Sequence, residues 1–368
     1  MMVNQVLRAA GMALGLWGGV MMGATVGVSV ASAQVTQAPV GGYRYEYAPV
    51  SPNAAIRYWA VWSSIPKELS DAVAAIEWKD AQGVTELEKM PESFRAYVKL
   101  AESAPDAVPE LIRATRIPRC DFELELDQGP TVLLPHLGRF RQAARVLHAD
   151  ARRLLIAGDA EGAGERIAAI LRSAAHLQSD RTLISQLVEQ AMVALAVDEL
   201  RTLAPRLSES RKLELRALLL RYDPQDPFRY RQTLAVERDA MSAWLRASTP
   251  EQIGSLMKEF EATERARTAG DRYRAFTPEQ HAEQVRGYVR AYNDMIEAWD
   301  SGDPARLSAV MDSIKPESER YGMLASYLAA DVSGMRARLE KARDTVREGL
   351  RLLSSEGASA DKPAAKKE

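Results

Sequence analysis

Leu133 to Leu203 reads LLPHLGRFRQAARVLHADARRLLIAGDAEGAGERIAAILRSAAHLQSDRTLISQLVEQAMVALAVDELRTL. From Arg139 to Ile156, Phe140, Ala143, Ala144, Leu147, Ala151, Leu154 and Leu155 recur at steps of three and four, which is one face of a helix. Gly158-Asp159 then breaks the pattern, with glycine free to turn left-handed past a helix end and aspartate able to cap the next helix. A second helix follows with Ala163, Ile167, Ile170, Leu171 and Ala174 on one side, and Ser179-Asp180 punctuates again. The third helix is expected to bury Leu183, Ile184, Leu187, Val188, Ala191, Met192, Leu195 and Ala196. Three amphipathic helices joined by short polar turns predict an all-α fold of stacked antiparallel hairpins, an α-α superhelix.

Alanine is frequent at the apolar positions, and small side chains let neighbouring helices approach closely. The run from Leu155 through Gly158-Asp159 to Ala163 resembles the turn inside a tetratricopeptide-like hairpin, with no second copy at the repeat spacing. A longer pattern comprises Cys120-Asp121-Phe122, Gly129-Pro130, Leu133-Leu134-Pro135-His136-Leu137, Gly158-Asp159 and Leu183-Ile184-Ser185. In that order these residues resemble a family of uncharacterised secreted all-helical proteins of planctomycete-type bacteria, over roughly Asn53 to Asp226. The resemblance implies export and a helical fold, and brings no activity with it.

The N-terminus supports the same compartment. Arg8 precedes an apolar run from Met12 to Val30, and Ala31-Ser32-Ala33 offers a small-residue cleavage site before Gln34. Residues 1–33 are therefore read as a signal peptide, leaving a periplasmic or extracellular chain with no later membrane span. Basic and acidic side chains nearly cancel, 48 against 50, which argues against a nucleic-acid partner. Cys120 is the only cysteine, so no intrachain disulfide is available and packing must carry the stability.

Residues 34–52 read as an extended N-terminal arm in which Tyr43, Tyr45 and Tyr47 alternate onto one side, a candidate aromatic binding strip. Residues 53–222 form the hairpin lobe. Tyr222-Asp223-Pro224-Gln225-Asp226-Pro227 marks a boundary, because its prolines remove helix donors and restrict their neighbours. Residues 223–353 then read as a second, more polar bundle with helices near Arg229–Ala247, Pro250–Thr268, Pro278–Trp299 and Asp331–Leu353, followed by a disordered tail at 354–368.

Candidate chemistry is sparse. Asp121, Glu123, Glu125 and Asp127 alternate with Phe122, Leu124 and Leu126, as in an extended connector with an acidic edge. Carboxylates spaced two residues apart along a strand lie too far from one another to share one cation, so no metal site is expected. Counting back from the Gly158-Asp159 turn brings His176 level with Leu137–Arg141, so His136 and His176 fall within reach of each other and of Asp121 or Asp180. Arg139 and Arg141 are the nearby cations, Arg139 being the candidate binding residue. There is no nucleophile elbow, Walker loop, dinucleotide fingerprint or zinc motif, and no cofactor is expected.

The expectation is an exported binding or scaffold protein of the cell envelope, whose partner is an envelope protein or peptide. Two alternatives stand beside it. One is a hydrolase-like enzyme using His136, His176 and a carboxylate; the other is an assembly protein using the C-terminal helix.

Overall fold

Gly158 adopts φ 86° and Asp159 accepts a hydrogen bond from the Gly162 amide, so the turn at the centre of the chain forms as its residues dictate. On either side of it, in a computed structural model, lie helices α5 (Pro135–Ile156) and α6 (Ala160–His176), packed as an antiparallel hairpin. The structure describes residues 52–354, except 82–83, 261–263, 316–317, 331 and 333. Residues 1–33, read from the sequence as a signal peptide, the tyrosines at 43, 45 and 47, and residues 355–368 lie outside the described residues.

All regular structure among the described residues is helical, and none of these helices is long and apolar enough to cross a membrane. Four short helices precede the hairpin: α1 (Ala54–Ser64), α2 (Lys67–Ala74), α3 (Glu92–Ser103) and α4 (Ala107–Thr115). Helices α2 and α3 pair on α5, and α1 and α4 pair beside them, with α4 reaching α6. After the hairpin come α7 (Leu183–Leu203) and α8 (Glu209–Leu219), both against α6. The alanines of α6 allow this crowding: Ala163, Ala168, Ala169 and Ala174 are buried, and a Cβ on Gly164 would lie 2.9 Å from side-chain atoms of Leu207 and Arg211.

Helix α7 departs from the expected face. Ile184 is 38% exposed and Ala191 faces outward, while Ser185, Gln186, Glu189 and Glu199 are buried. The apolar count misplaced the helix because α7 is covered on several sides, by α5, α6, α9 (Tyr230–Ala247) and α15 (Met335–Leu352). A helix with neighbours all round has no single apolar stripe, and its buried polar groups are settled by specific partners.

Beyond Tyr222, α9 pairs antiparallel with α12 (Pro278–Asp300), and α13 (Pro304–Ser313) and α14 (Gly322–Leu328) pack on α12. Thr277 and Gln280 form a capping box that starts α12. The segment read as one helix over Pro250–Thr268 is two antiparallel helices, α10 (Pro250–Phe260) and α11 (Glu264–Arg274). Gly254 and Gly270 let these two helices lie close: a Cβ on either would lie 2.5 Å from the other's carbonyl oxygen, a backbone contact that only a glycine pair permits.

The apolar seam of α15 lies against α7 and α8. Met335, Leu339, Ala342 and Val346 are buried, Gly349 abuts Val197 and Leu219, and Arg201 holds the Glu348 carboxylate from Nε at 2.9 Å. The turn at Leu126–Thr131 is tied to α9 in the same way, with Gly129 at φ 63° lying directly over the Trp244 indole.

Candidate functional site

The two histidines singled out from the sequence border one aromatic cluster built by α1, α5 and the segment after α4. Tyr58 packs on Trp62 (5.2 Å between centroids) and edge-on to Phe140 (4.9 Å), and Phe122 stacks on Trp62 and on His136 (4.2 Å). His176 meets the other side of Tyr58, its Nδ1 2.9 Å from the hydroxyl. The histidines thus share a cluster but not a partner.

His136 Nε2 lies 2.8 Å from Asp180 Oδ2, and Ser185 Oγ donates to that same oxygen at 2.7 Å. Local geometry places the carboxylate there. The chain leaves α6 through a 3₁₀ turn at Leu177–Ser179, Arg181 takes φ 56°, and Thr182 caps α7 through the Ser185 amide. His136 is delivered by the first turn of α5, which Pro135 opens. The group is sealed: His136 is 1% exposed and Ser185 is completely buried.

This set of residue types has the wrong order for nucleophilic catalysis. A serine nucleophile needs the imidazole between hydroxyl and carboxylate, so that the ring can take the proton. Here the carboxylate sits between the ring and the hydroxyl, and Ser185 Oγ has Thr182 Oγ1 as its other neighbour at 2.8 Å. The arrangement locks α5, the 3₁₀ turn and α7 together.

His176 is equally committed. Burial pushes its imidazole down to about 4, against a hydrogen bond to the Ile117 backbone, so the ring is neutral near pH 7. Asp121 belongs to neither histidine. Its Oδ1 accepts the Glu123 amide at 2.9 Å, its Oδ2 lies 3.3 Å from Arg119, and Asn53 bonds its backbone on both sides. That side-chain turn puts Glu123 at φ 52° and breaks the alternation expected of an extended strand, although Glu123, Glu125 and Asp127 still face solvent. Arg139 is exposed at 3.5 Å from Gln142 Oε1 and does not approach the acidic edge's Asp121 contacts. Cys120 is buried, and desolvation with the nearby Asp180 and Asp121 charges pushes its thiol up to about 12.

Other buried polar groups follow the same logic, and most were invisible in the sequence. His148 and Arg152 do share a face, as their spacing requires, and both converge on Glu199 Oε2 at 2.9 and 2.7 Å. Burial alone would raise the Glu199 carboxyl, but these two partners hold it below its ordinary value. Asp150, on the opposite face, takes Arg153 and Arg166. Glu189 accepts from Gln178 at 2.7 Å, and burial pushes its carboxyl up to about 8. Among the described residues no group of three or more His, Cys, Asp or Glu is placed to hold a metal ion.

An open groove of about 450 Å³ lies elsewhere, where Arg246 at the end of α9 faces His281, Ala282, Val285, Arg286, Val289 and Arg290 of α12. Nothing in the residue pattern announces it, since arginines at helical spacing on an exposed face read as a solvated surface. No family profile, curated protein or solved structure matches this chain.

Proposed function

We propose that this chain is an exported helical protein of the cell envelope that works by binding or scaffolding. The observation that carries the reading is the order Ser185–Asp180–His136, sealed in the core, where the residues best suited to chemistry serve as cross-braces between helices. The hydrolase-like alternative needs His136 and His176 to converge on one reacting atom; each instead bonds its own internal partner. The assembly alternative needs the α15 seam free, and that seam is spent on α7 and α8. Export rests on Arg8, the apolar run from Met12 to Val30 and the Ala31-Ser32-Ala33 site.

A thermal-shift series tests this reading on the chain with calcium, zinc, a chelator, envelope glycans and acidic and basic peptides. A ligand bound only by the folded state raises Tm as RT ln(1 + [L]/Kd). Stabilisation by a peptide or glycan supports the binding role. A zinc or calcium shift that disappears in Asp180→Asn would refute it, because the buried group would then be a chemical site.

A further inference from the structure

We infer that the groove between α9 and α12 docks an acidic amphipathic helical segment of a partner protein; this rests on the binding role proposed above. Its floor is apolar, from Ala282, Val285 and Val289, which follow one another at steps of three and four along α12. Seven residues of helix rise about 10 Å, so the floor matches two turns of a docked helix.

Its rim is cationic. Arg286 and Arg290 share the single carboxylate of Glu283, with Arg286 Nε at 2.8 Å and Arg290 at 2.7 Å, and Arg290 Nε also donates to the Arg320 carbonyl. Arg246 is exposed and has no carboxylate partner among the described residues. Three guanidiniums therefore face the groove against one carboxylate, and the surplus selects an anionic ligand.

The remaining polar group is spoken for. The Leu245 carbonyl accepts from His281 Nε2 at 3.0 Å, which leaves Nδ1 to accept the Tyr273 hydroxyl at 2.8 Å. No ring nitrogen is left for proton transfer, so the groove is built to hold a ligand and not to transform one. An apolar stripe flanked by arginines fits a helix with leucines on one side and glutamates beside them. A membrane surface fits less well, since polybasic membrane contacts use clusters of about four to eight cations.

Fluorescence anisotropy tests the assignment with a fluorescein-labelled helical peptide carrying one leucine stripe flanked by glutamates. Expected is saturable binding that weakens about tenfold or more in Arg246→Glu/Arg286→Glu. Raising salt from about 0.05 to about 0.5 M should weaken it about fivefold or more. Both substituted arginines lie on the surface, and an unchanged circular dichroism melt verifies the fold; Val289→Asp, at the half-buried floor, gives an independent disruption. Equal binding of a lysine-for-glutamate peptide, undiminished binding by both variants, or no binding by the wild type overturns the inference. So does association with phosphatidylglycerol vesicles that competes the peptide away. None of these results touches the broader binding role, which falls only to the metal-dependent stabilisation described above.

Discussion

Replacing Asp180 with alanine removes the acceptor from two buried donors at once, and the structure says how unevenly they suffer. Ser185 Oγ keeps Thr182 Oγ1 at 2.8 Å, so most of its hydrogen bonding survives. His136 has no such refuge. Its ring is held between Phe122, stacked at 4.2 Å, and Phe140 at 6.3 Å, and cannot swing to another acceptor without breaking the cluster. An unsatisfied buried donor costs about 1–3 kcal/mol, and the void left by the carboxylate adds to it, so Asp180→Ala should lose about 2–4 kcal/mol. For a domain of this size that is a fall in Tm of roughly 4–8 °C. Urea unfolding followed by circular dichroism gives the number directly, with an unchanged m-value showing that only stability moved. The cycle with His136→Leu sharpens it. If ring and carboxylate brace each other, the double variant loses less than the two single losses added together, by about 1–3 kcal/mol. Additive losses, or an Asp180→Ala protein as stable as the wild type, would refute the bracing argument.

Three further outcomes are expected. Glu189 is protonated in the folded state up to about pH 8 but ionises near 4.5 when unfolded, so its contribution is full below 4.5 and drains away as pH rises to 8. Glu189→Gln should flatten the Tm-against-pH profile across that window, and an unchanged slope would place the titration elsewhere. His176 works on the other side: its ring resists protonation down to about 4, so wild-type stability falls as pH drops from about 6.5 to 4, and His176→Gln should remove that part of the acid loss in the same profiles. Gly138→Ala and Gly254→Ala should have opposite signs in thermal melts. A Cβ at Gly138 meets nothing within 4 Å and gains about 1 kcal/mol of helix propensity, whereas at Gly254 it drives into Gly270 and costs about 1–3 kcal/mol.

The hairpin at Gly158 was legible in the sequence because every local signal agreed: period, left-handed glycine, capping aspartate. The α7 face was not, because its burial is set by helices distant in the chain, α9 and α15, that no window around Leu183 contains. Counting residues back from the turn brought His136 and His176 to one level of the hairpin, but the aromatic cluster between them and the partner each would take depended on Tyr58 and on the course of the Asp180-Arg181-Thr182 turn. Glu189 shows the same limit. Its spacing suits an exposed helix position, and only the packing of Gln178 and its neighbours reveals it as an internal acid.

The docking of α15 onto α7 has a consequence for synthesis. Gln190 Nε2 meets the Arg338 carbonyl across 148 residues of chain. At about 5–20 residues per second, α7 waits roughly 7–30 s for the helix that covers it. During that interval its uncovered side, with Val197 and the cleft that Gly349 will fill, is open to any other apolar surface. The order of the helices therefore sets when this face can close: the surface of α7 that α15 covers is completed only once nearly the whole described chain has been made.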